Sequence, residues 1–98
     1  MNNNNLVDFR FSDSDFATYL TMIGYEYKSI EITEDTRHDK RIKAFIHFDG
    51  DKKELIELHN VYLNGSVNIN LKDFSIAKQT INKAIKVEIR KFEGKDTI

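Results

Sequence analysis

The spacing of apolar residues changes several times along the chain, and each change marks an element. Leu6, Val7, Phe9 and Phe11 crowd into six positions, which predicts a first strand over 6–11. Ser12-Asp13-Ser14-Asp15 follows, rich in side-chain oxygens that accept from the free amides of a helix start. Ser12 is the expected N-cap, and Asp13 and Asp15 suit the positive end of the helix dipole. Phe16, Leu20 and Ile23 then recur at helical spacing with Tyr19 on the flank. Gly24 ends that helix, where a left-handed residue is wanted.

Tyr25–Thr33 and Arg41–Asp49 alternate with period two. In the second of these, Ile42, Ala44, Ile46 and Phe48 share one face, and Lys43, Phe45 and His47 share the other. The polar segment Glu34–Lys40 joins them as a hairpin loop longer than a tight turn. Asp49-Gly50-Asp51 closes the strand and opens a second helix, with Leu55, Leu58 and Tyr62 as its inward stripe and Asn64-Gly65 as its stop. A short strand is expected at Val67–Ile69. From about Asn70 a helical stripe returns: Phe74, Ala77, Ile81, Ala84 and Ile85. The far end of this segment carries two signals. Ile85, Val87 and Ile89 alternate with Lys86, Glu88 and Arg90 as in a strand, whereas Phe92 continues the helix; helix is favoured because no breaker intervenes. The order β-α-β-β-α-β-α makes an α+β fold, a single small domain over 6–92 with an antiparallel sheet packed by helices. Residues 1–5 read as a disordered polar tail and 93–98 as a frayed end. Phe16, Leu20, Ile46, Leu58 and Ile81 are expected to share one core.

A helix ending in Gly24-Tyr25, a two-strand segment, a charged helix ending Tyr62-x-Asn64-Gly65, a short strand and a helix entered near Phe74 together resemble a family. That family comprises small uncharacterised domains from phages and mobile elements of low-GC Gram-positive bacteria. The resemblance covers about residues 7–90 and rests on structural landmarks. It implies an origin, and it carries over no catalytic or binding residue.

At 98 residues, 40% hydrophobic and 32% charged, the chain suits one folded domain rather than two, and order rather than disorder. Its 12 isoleucines, 11 lysines and 9 asparagines all have AT-rich codons, so this bias is read as genomic. The absence of cysteine excludes disulfides, thiolate metal sites and a cysteine nucleophile, and fits a reducing compartment. No apolar run approaches the ~18–20 residues that span a bilayer, and the Asn-rich start lacks the regions of a signal peptide. The expectation is a cytoplasmic protein with no membrane partner. Charge is uneven: residues 1–36 sum to −5, residues 37–70 to +1 and residues 71–98 to +3. Such a gradient marks either a partner surface or complementarity between the two ends of the chain.

Chemistry finds little purchase in this pattern. Gly24, Gly50, Gly65 and Gly94 are too scattered for a phosphate-binding loop. The pairs Asp13/Asp15 and Asp49/Asp51 lack the further donors of a calcium loop, since Lys52-Lys53 follows the second, and helix capping accounts for both. His38, His47 and His59 show no zinc spacing, and His59 reads as a half-buried packing residue. Ser12, Ser14, Ser29, Ser66 and Ser75 occupy caps, strand or turns without a nucleophile elbow. The expectation is no enzyme, no cofactor and no metal.

One feature stands out. Lys72, Gln79, Lys83, Lys86 and Arg90 project within an arc of about 60° on a helical wheel, opposite Phe74, Ile81 and Ile85. This basic stripe is either a solvated face or a docking ridge for an acidic protein or a phosphate backbone. The seven Phe and four Tyr exceed what one small core must contain, and Phe45 falls on the outer strand face. The leading reading is a non-catalytic protein-binding module. The resemblance extends it to a phage-encoded inhibitor or modulator of a host protein, such as a CRISPR or other defence component, which makes the chain an anti-CRISPR candidate. The alternative is nucleic-acid binding through the last helix, and a homodimer through the hairpin's exposed edge is a further arrangement.

Overall fold

The strand with the cleanest apolar alternation is the one around which the sheet is built. In the computed structural model, which describes residues 6–35 and 41–94, the elements are β1 (Leu6–Phe11), α1 (Ser14–Met22), β2 (Tyr27–Asp35), β3 (Arg41–Asp51), α2 (Lys52–Leu63) and α3 (Leu71–Glu93). β3 lies between β1 and β2 and pairs antiparallel with both. The register sets Phe11 and Ile30 beside Ile46, Phe9 beside Phe48, and Ile32 beside Ala44. One sheet face is therefore apolar across all three strands, and that face meets the helices. The α+β class and the antiparallel sheet are as the alternation predicts. The expected tail at 1–5, the loop positions 36–40 and residues 95–98 lie outside the described residues.

The fourth strand does not form. Residues 66–70 link α2 to α3 without sheet pairing, and Val67 and Ile69 lie in a groove with Tyr62 and Phe74. Their apolar character serves the helix layer, which period-two spacing over three residues does not distinguish from a strand.

Each helix begins with a side-chain cap. Asn70 Oδ1 accepts from the amide of Asp73 (2.9 Å), and Asp51 accepts from Glu54 (3.0 Å). At α1 the cap is Asp13 rather than the expected Ser12: its carboxylate accepts from the amides of Asp15 (2.9 Å) and Phe16 (3.2 Å). Its second oxygen accepts from the Tyr62 hydroxyl (2.9 Å), so α2 holds the cap of α1 in place. Gly24 does end α1, with φ +111°, while the Tyr25 amide reaches back to the Leu20 carbonyl at 3.0 Å. Ile23, expected inward, sits at the C-cap and is exposed.

The core is one seam. Phe16, Ala17 and Leu20 of α1 are fully buried against Ile46 and Phe48 of β3, Leu55 of α2 and Ile81 of α3. Phe16, Leu20, Ile46 and Ile81 were expected there. Leu58 was too, but it is only half-buried, and Leu55 is the α2 residue that reaches the centre. Gly50 explains this. A Cβ at that position would lie 2.6 Å from Leu55 Cδ1 and 3.1 Å from its Cγ, so the missing side chain makes the space that Leu55 fills. Gly50 does not end the strand; β3 runs on to Asp51.

Two outcomes follow for stability. Leu20→Ala should destabilise the domain by roughly 2–5 kcal/mol in denaturant unfolding, since it opens a cavity at the α1–β3 seam. Gly50→Ala should destabilise by about 1–3 kcal/mol through overpacking. Its effect should shrink when Leu55→Ala is already present, and a double-mutant cycle reads that coupling directly.

Candidate functional site

α3 is an unbroken helix of 23 residues, closed by Gly94 in the left-handed conformation (φ +75°). Residues 85–92 are therefore helical, and the strand alternative for them falls away. Phe74, Ala77, Ala84 and Ile85 are half-buried and Ile81 is buried, while Lys72, Gln79, Lys83, Lys86 and Arg90 all face solvent. The basic stripe exists as a single face. Among the described residues, no ion pair holds Lys72, Lys83 or Lys86. Lys78, one position off the stripe, is instead bound to Asp15 of α1. Exposed apolar side chains border the ridge: Ile76 is 57% and Val87 44% accessible.

Phe45 stands where expected, on the sheet face away from the helices, but not as a bare anchor. It is half-buried, with the Arg10 guanidinium 4.3 Å from its ring centroid.

Around Phe45 lies a network that reasoning along the sequence did not assemble. His47 Nδ1 faces both oxygens of Asp8 at 3.1 Å, and Nε2 faces Glu31 Oε1 at 2.8 Å. Ionised carboxylates only accept hydrogen bonds, so both ring nitrogens must donate, which makes the ring an imidazolium. Arg10 also donates to Glu31 (3.3 Å). Lys28 lies 3.5 Å from Asp8 and 3.0 Å from Asp49. A register shift between Tyr27 and Ser29 brackets Lys28, the one strand residue there without a partner in β3. The result is a continuous chain, Asp49–Lys28–Asp8–His47–Glu31–Arg10, crossing all three strands. It also resolves two unfavourable cross-strand neighbours, Asp8 beside Asp49 and Arg10 beside His47, by placing an opposite charge against each pair.

The protonation states follow this geometry. The hydrogen bond to Glu31, helped by Asp8, raises the His47 pKa against the opposing effect of burial. The hydrogen bond from His47 lowers the pKa of Asp8 and of Glu31. Burial, reinforced by Glu54 and Asp13 respectively, pushes the Tyr25 and Tyr62 hydroxyls up to about 12, so both remain donors.

The other candidate residues have local roles. Asp13 and Asp51 are caps. His59 is half-buried and packs against Phe11, Phe16 and Tyr62. His38 lies outside the described residues. Among the described residues no group of three or more His, Asp or Glu is arranged to hold a metal, and no helix is long and apolar enough to cross a membrane. The His47 network was detectable in one respect: Asp8, Glu31 and His47 all occupy outward positions of alternating strands. Strand order, which places them side by side, was not.

Residues 7–91 match a family described as a domain of unknown function, DUF5659. The chain belongs to that family. No curated protein and no solved structure matches it. Membership in DUF5659 agrees with the span of the resemblance drawn from Gly24-Tyr25, Tyr62 to Gly65 and Phe74, and it assigns no chemistry to either surface.

The network sets a pH dependence with a definite sign. A raised His47 pKa contributes stability that is complete below the ordinary imidazole value of 6.5 and is lost as pH rises through the folded value. Lowered pKa values of Asp8 and Glu31 contribute stability that is complete above the ordinary 3.8 and 4.5 and is lost as pH falls through the folded values. The melting temperature should therefore be highest between pH 4.5 and 6.5 and decline on either side. His47→Gln should flatten the alkaline decline; a wild-type melting temperature level from about pH 5 to about pH 9 would contradict the assignment.

Proposed function

We propose that this domain is a non-catalytic protein-binding module that docks an acidic partner on the basic ridge of α3. What supports the reading is one observation: Lys72, Lys83, Lys86 and Arg90 are presented together on a continuous helix face, with Ile76 and Val87 exposed beside them. A face that combines exposed cations with apolar side chains suits a protein surface, where both kinds of group find partners. A phosphate backbone uses only the charges. The non-catalytic part of the reading draws on His47, whose two ring nitrogens are both engaged by carboxylates. The inhibitory role against a host defence component, and the phage origin behind it, extend this proposal from the resemblance alone.

The ridge is tested by charge reversal. Lys83→Glu with Lys86→Glu should leave the melting temperature nearly unchanged, because exposed charges contribute little to stability. Affinity capture from a nuclease-treated bacterial lysate should then recover a protein with the wild type that the double variant does not retain. The wild type should show no retention on duplex DNA at ~0.15 M salt, where weak phosphate-driven contacts are screened. A sub-micromolar, steeply salt-dependent DNA complex that the double variant loses would overturn this ranking in favour of nucleic-acid binding.

A further inference from the structure

The seven Phe and four Tyr outnumber the rings that the core uses, and one of the surplus rings shares a cavity with two others. Phe74 is half-buried, yet it stands outside the core cluster that Tyr19 and Tyr62 pack against. These three rings, from α3, α1 and the end of α2, line one cavity of about 280 Å³. The Asp15 carboxylate belongs to the same lining. Aromatic rings and a carboxylate around one space attract a cation, the rings through their quadrupole.

The structure already places an ammonium at this site. Lys78 Nζ is bound to Asp15 and lies 6.0 Å from the Phe74 ring centroid, at the outer limit of a cation–π contact. Lys78 does not line the cavity itself, so its ammonium sits at the margin and leaves the space among the rings open. Charge here still favours a further cation. Asp13 and Asp15 carry two negative charges against the single positive charge of Lys78, and Lys72 and Asp73 ahead of Phe74 cancel one another. The positive end of the α1 dipole also lies here, where the Asp13 cap meets it.

The walls are fixed by the fold. The Tyr62 hydroxyl donates to Asp13 at 2.9 Å, and the ring stands 4.9 Å from Phe16 and 6.4 Å from Tyr19. Gly65, with φ +74°, turns the chain; the Ser66 amide donates to the Val61 carbonyl at 3.2 Å, and Val67 and Ile69 join the cavity. Its volume falls just below the ~300 Å³ at which pockets for whole drug-sized ligands begin, so it suits a head group. A primary ammonium has three donors to satisfy and stays at the carboxylate, as Lys78 does. A quaternary ammonium has no donor, and its methyl groups gain from apolar walls.

We propose that this cavity binds the quaternary ammonium group of an organic cation, with Tyr19, Tyr62 and Phe74 around its methyl groups and Asp15 supplying the opposing charge in competition with Lys78. The proposal does not rest on the basic ridge.

The test titrates choline into the ¹⁵N-labelled full chain at constant ionic strength. Controls are ethanolamine, which lacks the methyl groups, and the neutral isostere of choline in which tert-butyl replaces trimethylammonium. Choline should give saturable shifts in the amides of Tyr62, Gly65, Val67 and Phe74, and both controls should bind about tenfold more weakly or not at all. Phe74→Leu, which keeps an apolar side chain outside the core, should weaken choline about tenfold with little change in melting temperature. Lys78→Met should instead strengthen it several-fold, because Asp15 loses its internal partner; a lysine that merely ties α3 to α1 gives the opposite sign. A trimethyllysine peptide separates the sources. Preference for the peptide assigns a methylated protein side chain, preference for choline a free small cation, and either supports the site. Equal binding of the neutral isostere would reduce the cavity to an apolar groove and overturn the proposal. So would choline binding that Lys78→Met weakens, or the absence of any saturable shift at millimolar choline.

Discussion

A three-stranded sheet in a chain of this size can be covered on one face only, and most of the molecule follows from that limit. The single seam in which Phe16, Ala17 and Leu20 of α1 meet Ile46 and Phe48 of β3 takes up nearly all the fully buried apolar surface, with Leu55 and Ile81 closing it from either side. Ala17 and Gly50 matter as much as the large residues. The first lets α1 lie close in the seam, and the second opens the space that Leu55 fills.

The uncovered face must then be satisfied by its own side chains. The chain from Asp49 through Lys28, Asp8, His47 and Glu31 to Arg10 does this with alternating charges, and it is neutral as a whole when His47 is an imidazolium. At such exposure each pair contributes little alone. Together the pairs tie both edge strands to β3 and fix which charges stand beside which. Phe45 is drawn into this arrangement by Arg10, whose guanidinium lies over its ring.

Coverage on one face also decides what is left for partners. α3 packs against α1 and β2, and on its far side no ion pair among the described residues holds Lys72, Lys83 or Lys86. Among the described residues the β2 edge has no further strand beside it. The ridge and the edge are thus neighbouring consequences of one packing solution.

What the sequence determined by itself was local. The alternation of Ile42 to Phe48, the helical recurrence of Phe16 and Leu20, the capping oxygens at Asp51 and Asn70, and the glycines at 24 and 94 carry their conformations in their own neighbourhood, through sterics, hydrogen bonding and amphipathic spacing. The basic stripe was legible for the same reason, since a helical wheel needs no tertiary information. Where two local solutions competed, the tertiary structure chose. Asp13 caps α1 in place of Ser12 because Tyr62, 49 residues away, donates to its carboxylate. Leu55 reaches the core where Leu58 was expected, because Gly50 leaves room on the adjoining strand. Val67 and Ile69 serve a helix groove, not a sheet. The His47 network depends on strand order, in which β3 enters between two strands that precede it. Residues 8, 31 and 47 meet only there, because the pairing of edges is a long-range choice that no period along the chain encodes.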